Sequence, residues 1–422
     1  MSGTNRNAST GGGDAAFSPC DLDSRRRGLL QAGLTRRLAA LGRPFPITRM
    51  ELVLTENCTL CCDYCFVAGK QAHKRMSWPT ARKAVDFLMS QSLDRDEVEI
   101  VFFGGEPLIE FELMRRIAAY AEANAAERGK RVRYAVTTNG TIMSEEIISF
   151  AQERGLNYLL SIDGDRASHD RHRKRRDGSG SWDEVTGEKF RLLKRRQGWV
   201  GTRLTVNPDT VDGLVGNVRF LASLGLNQFI VGINADVEWS AADLSTYIAQ
   251  MQDVADFYVE QVAAGAQLRI SSFEETVAEK RSQLSGVWGC DAGRSRVAIS
   301  TGGEIYPCSR FVSPSAGTAG SYRLGHVDSG LDNLGARAAF MDNADASRPK
   351  CAKCNHRLVC AGGCPALNML RNGSIFEPAP HACLLTEAHI ALLHRIEQAK
   401  RHPTGGDDQS GNPGAAVLAR SV

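Results

Sequence analysis

The sequence has no long apolar run and no strong excess of charge. No stretch approaches the roughly 18 uninterrupted apolar residues of a membrane-spanning helix. Residues 1–17 are rich in Gly, Ser, Thr and Asn and lack the apolar segment of a signal peptide. A net charge of +3 is too small to indicate binding to nucleic acid or to an acidic membrane surface. The composition predicts a soluble, cytoplasmic protein, with neither a membrane nor a nucleic acid as partner.

Cysteine is absent from most of the chain. None of the twelve cysteines lies between residues 66 and 289, whereas four lie within residues 58–65 and seven within residues 290–383. The remaining one, Cys20, stands alone. Disulfides would be spread more evenly, and the cytosol keeps thiols reduced. The distribution therefore predicts two metal-binding regions separated by a cysteine-free body.

The cysteine-free body shows alternating strand and helix patterns. Six strand-then-helix units follow one another from residue 48, which is typical of a parallel sheet with helices outside. A complete barrel of this kind has eight units. The pattern predicts an α/β fold, a partial (β/α)6 TIM-like barrel that is open on one side to a large substrate.

Composition divides the chain into four segments. Residues 1–45 are predicted to be a disordered leader, with a short basic helix over Arg25–Leu41. Residues 46–268 form the barrel. Residues 269–397, where strands shorten and glycine and proline increase, form a small loop-rich domain held by metal. Residues 398–422 are predicted to be a flexible tail.

Unusual polar clusters follow four of the predicted strands. They are the cysteine loop 58–65, Gly104–Pro107, Thr137–Gly140 and Ser161–Gly164. In parallel α/β folds, active sites lie at the carboxyl ends of the strands. The four clusters are therefore predicted to meet at one site.

The cysteine loop has the chemistry of an incomplete iron–sulfur site. Cys58, Cys62 and Cys65 are spaced C-x3-C-x2-C, and Phe66 follows directly. Three thiolates can hold three irons of a cubane cluster, for which protein alone would supply four cysteines. The alternative is structural zinc on the pairs Cys58/Cys61 and Cys62/Cys65, but zinc modules usually separate their pairs by a loop. In the iron–sulfur interpretation, Cys61 is not a ligand of the cluster.

This loop resembles the signature of the radical S-adenosylmethionine (SAM) superfamily. The resemblance implies that SAM chelates the fourth iron of a [4Fe–4S] cluster. It also implies that one electron from a donor such as flavodoxin or ferredoxin cleaves SAM to methionine and a 5′-deoxyadenosyl radical. That radical then abstracts a hydrogen atom from the substrate. The protein supplies orientation and excludes side reactions.

The other strand ends resemble the SAM-binding motifs of this superfamily. Gly104 to Pro107 resembles its GGEP motif, in which Glu106 would accept a hydrogen bond from the SAM ammonium. Asn139, Ser161 and Asp163 resemble its ribose- and carboxylate-facing positions, although each could belong to a simple turn. Arg203 would face the SAM carboxylate, or form an ion pair at the edge of the core. The predicted cofactor contacts are Phe66, Gly104, Gly105, Glu106, Pro107, Asn139, Ser161, Asp163 and Arg203. The stretch from His169 to Ser181 matches another stretch common in the family and is expected to be scaffolding near the site.

The seven C-terminal cysteines resemble the pattern of SPASM domains, which hold two auxiliary [4Fe–4S] clusters. That resemblance implies an outer cluster on Cys351, Cys354, Cys360 and Cys383, and an inner cluster on Cys290, Cys308 and Cys364. Three clusters are then expected in all. The alternative is a pair of zinc knuckles, which an odd count of seven fits poorly. The inner group lacks a fourth cysteine, so the cluster there has an open iron or a non-cysteine ligand.

The resemblance implies a peptide or protein substrate. The best single hypothesis is a cross-link (thioether, C–C or C–O) installed in a ribosomally made precursor peptide. Alternatives are formylglycine formation by an anaerobic sulfatase-maturating enzyme, oxidation of a small molecule, or a metal-stabilised binding module that is not an enzyme.

Two features of the chain bear on these alternatives. Sulfatase maturases usually place an aspartate after the cysteine that corresponds to Cys308, where this chain has Ser309. About 45 residues precede the barrel, too few for a leader-binding winged helix. A separate leader-binding protein is therefore an expected partner, unless the enzyme grips the peptide directly.

Overall fold

A computed structural model describes residues 45–67, 74–284, 290–312, 322–341, 347–357, 359–360 and 362–401. The predicted leader, its basic helix and Cys20 lie outside these residues, as does the tail beyond Arg401. In the part of the chain that is described, no helix is long and apolar enough to cross a membrane.

The described strands form one sheet. They are β1 (Arg49–Thr55), β2 (Glu97–Gly104), β3 (Arg131–Thr138), β4 (Asn157–Ser161), β5 (Gly201–Val206), β6 (Gln228–Ile233), β7 (Arg269–Ile270), β8 (Arg296–Ile299), β9 (Glu304–Tyr306), β10 (Gly325–His326) and β11 (Gly330–Leu331). Their order is β11-β10-β9-β8-β1-β2-β3-β4-β5-β6-β7. The eight strands from β8 to β7 pair in parallel. Beyond β8 the sheet continues with antiparallel pairs, β8 with β9, β9 with β10 and β10 with β11.

Helices follow most of the parallel strands. They are α1 (Trp78–Gln91), α2 (Phe111–Glu127), α3 (Glu145–Arg154), α4 (Arg166–His172), α5 (Trp182–Val185), α6 (Glu188–Arg196), α7 (Leu214–Ser223), α8 (Ala241–Ala263), α9 (Val277–Leu284), α10 (Leu334–Met341), α11 (Pro349–Ala352), α12 (Pro365–Asn372) and α13 (Pro380–Arg401). The first starts as its sequence predicts, because Ser77 caps it by accepting from the Thr80 N–H at 3.2 Å. The predicted α/β fold with a parallel sheet is confirmed.

One strand joins the sheet at a place that the sequence pattern did not predict. Strand β8 lies in the segment predicted to be loop-rich, yet it pairs in parallel with β1, with Leu52 opposite Ile299. Both side chains are fully buried, and Phe311 and Phe340 from the same C-terminal segment belong to the same core. The first part of the cysteine-rich segment is therefore supported by the main hydrophobic core.

The last helix is longer than the sequence indicated. Helix α13 runs through Arg401, so residues 398–401 are helical and do not belong to the predicted tail. It packs along α8, where Arg395 lies 2.8 Å from Asp256. Cys383 stands near the start of this helix.

Candidate functional site

The cysteine loop leaves the carboxyl end of β1 with its thiols at different depths. Cys58 is buried, Cys62 and Cys65 are half-buried, and Cys61 is exposed. The backbone of Cys61 donates to the Lys174 carbonyl at 2.7 Å, which holds this part of the loop against the segment after α4. The structure thus separates Cys61 from the buried end of the loop, as the spacing predicts for a bystander.

A buried ion pair holds the middle of the loop. The Arg173 guanidinium donates to both oxygens of Asp163, at 2.8 and 2.9 Å, and both side chains are less than a tenth exposed. The hydroxyl of Tyr64, between Cys62 and Cys65, donates to the same carboxylate. Burial raises the pKa of Tyr64 well above its ordinary value, so the phenol is a hydrogen-bond donor throughout the physiological range.

These contacts change the role predicted for Asp163. Its carboxylate also accepts from the Thr205 N–H at 2.9 Å, so protein groups occupy both oxygens. Burial alone would raise the pKa of Asp163, but Arg173 holds it below the ordinary value and keeps the group charged. The structure therefore favours a positioning residue for the cysteine loop over the predicted direct contact with SAM.

The stretch from His169 to Ser181 supports this ion pair, as predicted. The Ser181 hydroxyl donates to the Arg173 carbonyl at 2.7 Å and lies 3.0 Å from His169 Nε2. Asp170 Oδ1 accepts from the Ser181 N–H at 2.8 Å. Burial lowers the pKa of His169 to about 4, so the ring is neutral at pH 7.

Gly104 and Gly105 let β2 approach the start of the cysteine loop. A Cβ added at Gly104 would lie 2.3 Å from the Thr55 carbonyl oxygen, and one at Gly105 would lie 2.2 Å from that of Asn57. The Gly105 and Glu106 N–H groups donate to these two carbonyls, each at 2.8 Å. Glycine is required at these two positions because the backbone that leads to Cys58 lies too close for a side chain. The sequence had suggested that the glycines make room for a ligand.

Gly105→Ala is expected to displace the cysteine loop, because the new methyl group would overlap backbone that cannot move aside. We expect a lower melting temperature and less iron retained after cluster reconstitution. Gly216→Ala on α7 is the matched control, since nothing lies within 4 Å of its added Cβ and alanine favours a helix. Equal melting temperatures and iron contents for the two variants would contradict this assignment.

Glu106 is fully buried, which revises its predicted role. Oε1 accepts from the Leu108 N–H at 3.0 Å and from the Thr138 hydroxyl at 2.9 Å, and Oε2 accepts from the Asn139 N–H at 2.8 Å. These three hydrogen bonds lower the pKa of Glu106, but burial has the larger effect and raises the pKa to about 7. The side chain joins the ends of β2 and β3, and protein groups donate to both of its oxygens. Pro107 is also buried, in the first turn of the short 3-10 helix that follows.

Asn139 connects the end of β3 to the cysteine loop. Its Nδ2 lies 3.5 Å from Cys58 Sγ and donates to the Thr59 hydroxyl at 3.0 Å. Its Oδ1 accepts from the Thr141 N–H at 3.0 Å. This amide lies beside the buried thiol and fixes its surroundings.

Ser161, the last residue of β4, stands opposite Arg203 in the middle of β5. Both are half-buried, and neither side chain has a hydrogen-bond or ion-pair partner among the residues that the structure describes. The Arg203 guanidinium lies against the backbone of Gly232, where an added Cβ would be 2.9 Å from Nη2. Burial lowers the pKa of Arg203, and the nearby cation Arg310 lowers it further.

Arg310, from the C-terminal segment, lies near Arg203. Its guanidinium lies 4.7 Å from the ring centroid of Phe66, which stacks on Phe103 at 6.1 Å. Asp236, after β6, pairs with Arg310 at 3.2 Å. Because Arg203 has no carboxylate partner in the described structure, the mouth of the barrel is suited to an anionic group.

The C-terminal cysteines fall into two neighbourhoods. Cys308 has Cys364 and Cys290 as electrostatic neighbours, and burial raises its pKa. In the other neighbourhood, Cys351 and Cys383 are each electrostatic neighbours of Cys360 and Cys354. We call Cys290, Cys308 and Cys364 the inner group, and Cys351, Cys354, Cys360 and Cys383 the outer group.

The donors present suit iron–sulfur chemistry. None of the eleven described cysteines forms a disulfide. Among the described side chains, no three His, Cys, Asp or Glu groups lie close enough together to hold a single metal ion. What the chain offers at each of three places is a group of thiols, which are the ligands that iron–sulfur clusters take.

Several residues at these sites were missed by sequence reasoning. Tyr64 and Arg173 lie inside motifs that had been recognised, but their contact across the fold leaves no local trace. Glu51, which accepts from the Ser309 N–H beside Cys308, did leave a local trace, because it is an acid between apolar residues of β1. Arg296, which donates to Cys290 Sγ, and Arg310 carry no signal that would separate them from the other arginines of the sequence.

Comparison with known proteins identifies the barrel. Residues 52–221 match the family model of the radical SAM superfamily. The chain is 23% identical over 332 residues to the cysteine-type anaerobic sulfatase-maturating enzyme of Clostridium novyi, covering 74% of this chain and 85% of that one. It is 21% identical over 382 residues to the radical SAM cyclopropyl synthase TigE of Paramaledivibacter caminithermalis, covering 86% and 77%. A shorter match, 36% over 113 residues, to the uncharacterized protein MJ0907 of Methanocaldococcus jannaschii covers 27% of this chain and 37% of that protein.

Solved structures share the fold. Native anSMEcpe with bound AdoMet and the Cp18Cys peptide superposes with a TM-score of 0.70 at 17% identity, covering 85% of this chain and 100% of that one. Streptococcus suis SuiB bound to the precursor peptide SuiA superposes with a TM-score of 0.57 at 14% identity, covering 90% and 84%. The superfamily implies a [4Fe–4S] cluster and SAM as cofactors. Residues 52–221 therefore form a radical SAM domain, and the chain is an enzyme.

Proposed function

We propose that this enzyme uses SAM and three [4Fe–4S] clusters to modify a peptide, most directly by installing a cross-link in a ribosomally made precursor. The single observation that carries the SAM site is Arg203, a half-buried cation without a described partner that stands opposite Ser161 at the mouth of the barrel. A cation in this setting favours a bound carboxylate, because no described carboxylate forms an ion pair with it to offset its burial.

In the proposed site, Cys58, Cys62 and Cys65 hold three irons of the first cluster and SAM takes the fourth. Arg203 and Ser161 bind the carboxylate of SAM. Because Glu106 is buried, a backbone carbonyl of the loop that begins at Gly104 is the better acceptor for the SAM ammonium. When bound, these cofactors supply a 5′-deoxyadenosyl radical, for which a one-electron donor such as flavodoxin or ferredoxin is required.

The two C-terminal groups are proposed to hold the auxiliary clusters of a SPASM domain. Their separation in the structure supports the division that the sequence resemblance implies. Arg310, two residues after Cys308, contacts Phe66, the residue after Cys65. The inner group therefore approaches the radical-forming site from the open side of the barrel, where a peptide would enter.

Replacing Arg203 is expected to weaken SAM binding more than it slows the cleavage of bound SAM. A charge-assisted hydrogen bond is worth about 1.5–3 kcal/mol, so Arg203→Gln should raise the KM for SAM roughly 10- to 150-fold. Arg203→Lys should recover part of the loss, because it keeps the charge without the planar fork. The readout is 5′-deoxyadenosine formed under dithionite at a series of SAM concentrations.

Arg133→Gln is the matched control for Arg203. Arg133 is an exposed strand arginine whose partner, Glu97, lies 3.3 Å away at the opposite end of the sheet. This change should leave the KM for SAM as in the wild type. If Arg203→Gln also left it unchanged, Arg203 would not be the carboxylate site.

Cross-linking is preferred over sulfatase maturation because of the residue after Cys308. Sulfatase maturases are expected to carry an aspartate there, whereas Ser309 uses its N–H to bind Glu51 at 2.9 Å. Asp236, which contacts the segment after Cys308, is already paired with Arg310. Two of the similar proteins represent peptide modification other than sulfatase maturation. TigE is by name a cyclopropyl synthase, and SuiB is by its description bound to a precursor peptide.

The substrate class is tested by offering two peptides to the reconstituted enzyme. One is a short peptide encoded by a reading frame beside the gene, and the other is a sulfatase peptide with the modified cysteine or serine. We expect the first to lose two hydrogens, as a cross-link requires, and the second to remain unchanged. Formylglycine in the second peptide would establish the sulfatase-maturating alternative.

A further inference from the structure

A buried group of charges borders the inner group of cysteines. Arg296, on β8, places Nη2 3.8 Å from Cys290 Sγ and donates to it. The same guanidinium lies 2.9 Å from Asp291 and 3.3 Å from Glu51. Its side chain is 23% exposed and that of Glu51 is 9% exposed, so the pair is largely shielded from water.

Glu51 connects this charge group to Cys308, a second thiol of the inner group. It lies on β1, the strand that leads into the first cysteine loop, and its Oε2 accepts from the Ser309 N–H directly after Cys308. The acid is also an electrostatic neighbour of the Cys308 thiol. A cation and an anion thus act on the same thiol, Cys308, from positions on two paired strands.

The geometry points to Arg296 as a positioning residue that raises the reduction potential of the cluster on the inner group, with Glu51 acting in the opposite direction. This inference rests on the proposed function, since it requires a cluster on these thiols. Hydrogen bonds to the cluster's sulfurs and the net charge around it are two of the factors that set its potential. A guanidinium that donates to a thiolate stabilises the more negative, reduced state.

The opposing charges predict shifts of opposite sign. Arg296→Gln removes the positive charge and leaves Glu51 beside the thiols without its cation, so the potential should move to a more negative value. Glu51→Gln keeps a carbonyl oxygen for the Ser309 N–H and removes the negative charge, so the potential should move to a more positive value. Arg296→Lys keeps the charge and should shift the potential less than Arg296→Gln.

The experiment is a mediated redox titration followed by electron paramagnetic resonance. The full-length chain carries alanine at Cys58, Cys62 and Cys65, so that only the auxiliary clusters contribute to the spectrum. Two midpoint potentials are expected, of which one should move in the directions given and the other should stay. Arg323→Gln is the control, because Arg323 is a half-exposed arginine of the same segment paired with Asp332 at 2.9 Å.

The possible outcomes separate this inference from the proposed function. Eight irons per chain with no shift in Arg296→Gln or Glu51→Gln would overturn the role of Arg296 and leave the clusters in place. Shifts of the same sign in both variants would overturn it as well. Only four irons in the chain that carries the three alanines alone, with one midpoint, would instead show that one of the two groups holds no cluster. If that single midpoint also stays unchanged in Arg296→Gln and Glu51→Gln, the group without a cluster is the inner one, and the proposed function is wrong there. If Arg296→Gln loses its cluster, the shifts in midpoint potential of Glu51→Gln and Arg296→Lys still test the predicted direction.

Discussion

Cys58→Ala is expected to abolish the formation of 5′-deoxyadenosine, whereas Cys61→Ala should leave it near the wild-type rate. The two thiols stand three residues apart on one loop, but Cys58 is buried beside Asn139 and Cys61 faces solvent. A cubane without one of its three cysteines has lost a ligand that the loop cannot replace, because the exposed thiol is held away by the bond from its own N–H to Lys174.

The measurement combines product analysis with iron content after anaerobic reconstitution. The Cys58 variant should lose about four irons per chain, the content of one cluster, and the Cys61 variant should lose none. Circular dichroism of both variants serves as the control for folding. Full product formation by Cys58→Ala would refute the assignment of the first cluster, and loss of product in Cys61→Ala would show that the spacing had selected the wrong thiols.

Breaking the ion pair between Asp163 and Arg173 is expected to have the largest effect on stability. Removing one member of a buried pair leaves the other charge without compensation, which typically costs about 3–5 kcal/mol. Asp163→Asn and Arg173→Met should each lower the free energy of unfolding by this amount. The double variant should cost less than the sum of the two, because it leaves no unpaired charge.

An exposed pair from the same segment is the matched control. Arg166 and Asp183 form an ion pair with side chains 57% and 72% exposed, so Asp183→Asn should change stability little. Denaturant unfolding of the apoprotein measures all four variants without interference from clusters. Additive losses in the double variant would contradict the idea that the two charges act as one unit.

The stabilisation by Asp163 should depend on pH in a defined direction. Its pKa in the folded protein lies below the ordinary value of about 3.9, so its contribution is complete above that value and is lost as the pH falls through the lower, folded pKa. The gap in stability between the wild type and Asp163→Asn should therefore be constant near neutral pH and narrow only in acid. A gap that widened in acid would have the wrong sign.

The features that local sequence could predict are those that depend on spacing. Alternating patterns predicted the parallel strands, and the strand ends correctly marked where polar groups would collect. The division of the C-terminal cysteines into two groups was implied by the resemblance to SPASM domains. Whether each thiol binds iron stays a prediction until it is measured, and so do the predicted boundaries of the domains.

What the sequence could not predict depends on pairing over long distances. The motif containing Glu106 was recognised, but its burial depends on Thr138 and Asn139 at the end of the next strand. Asp163 could serve a ligand or a neighbour equally well until Arg173 and Tyr64 were seen beside it. The place of β8 was hidden for the same reason, since four apolar and charged residues carry no information about which strand they will join.

The position of β8 also determines the order in which the protein can be completed during synthesis. Arg49 on β1 pairs with Arg296 on β8, so 247 residues (296 minus 49) separate the partners. At roughly 5–20 residues per second, a ribosome needs about 12–50 s to cover that distance. Throughout this interval one side of β1 is an open edge, which is a known starting point for aggregation. The loop with the first cysteines emerges early, but the strand that carries it gains its second neighbour only when the C-terminal segment arrives, so iron loading at both ends of the chain depends on the same late event.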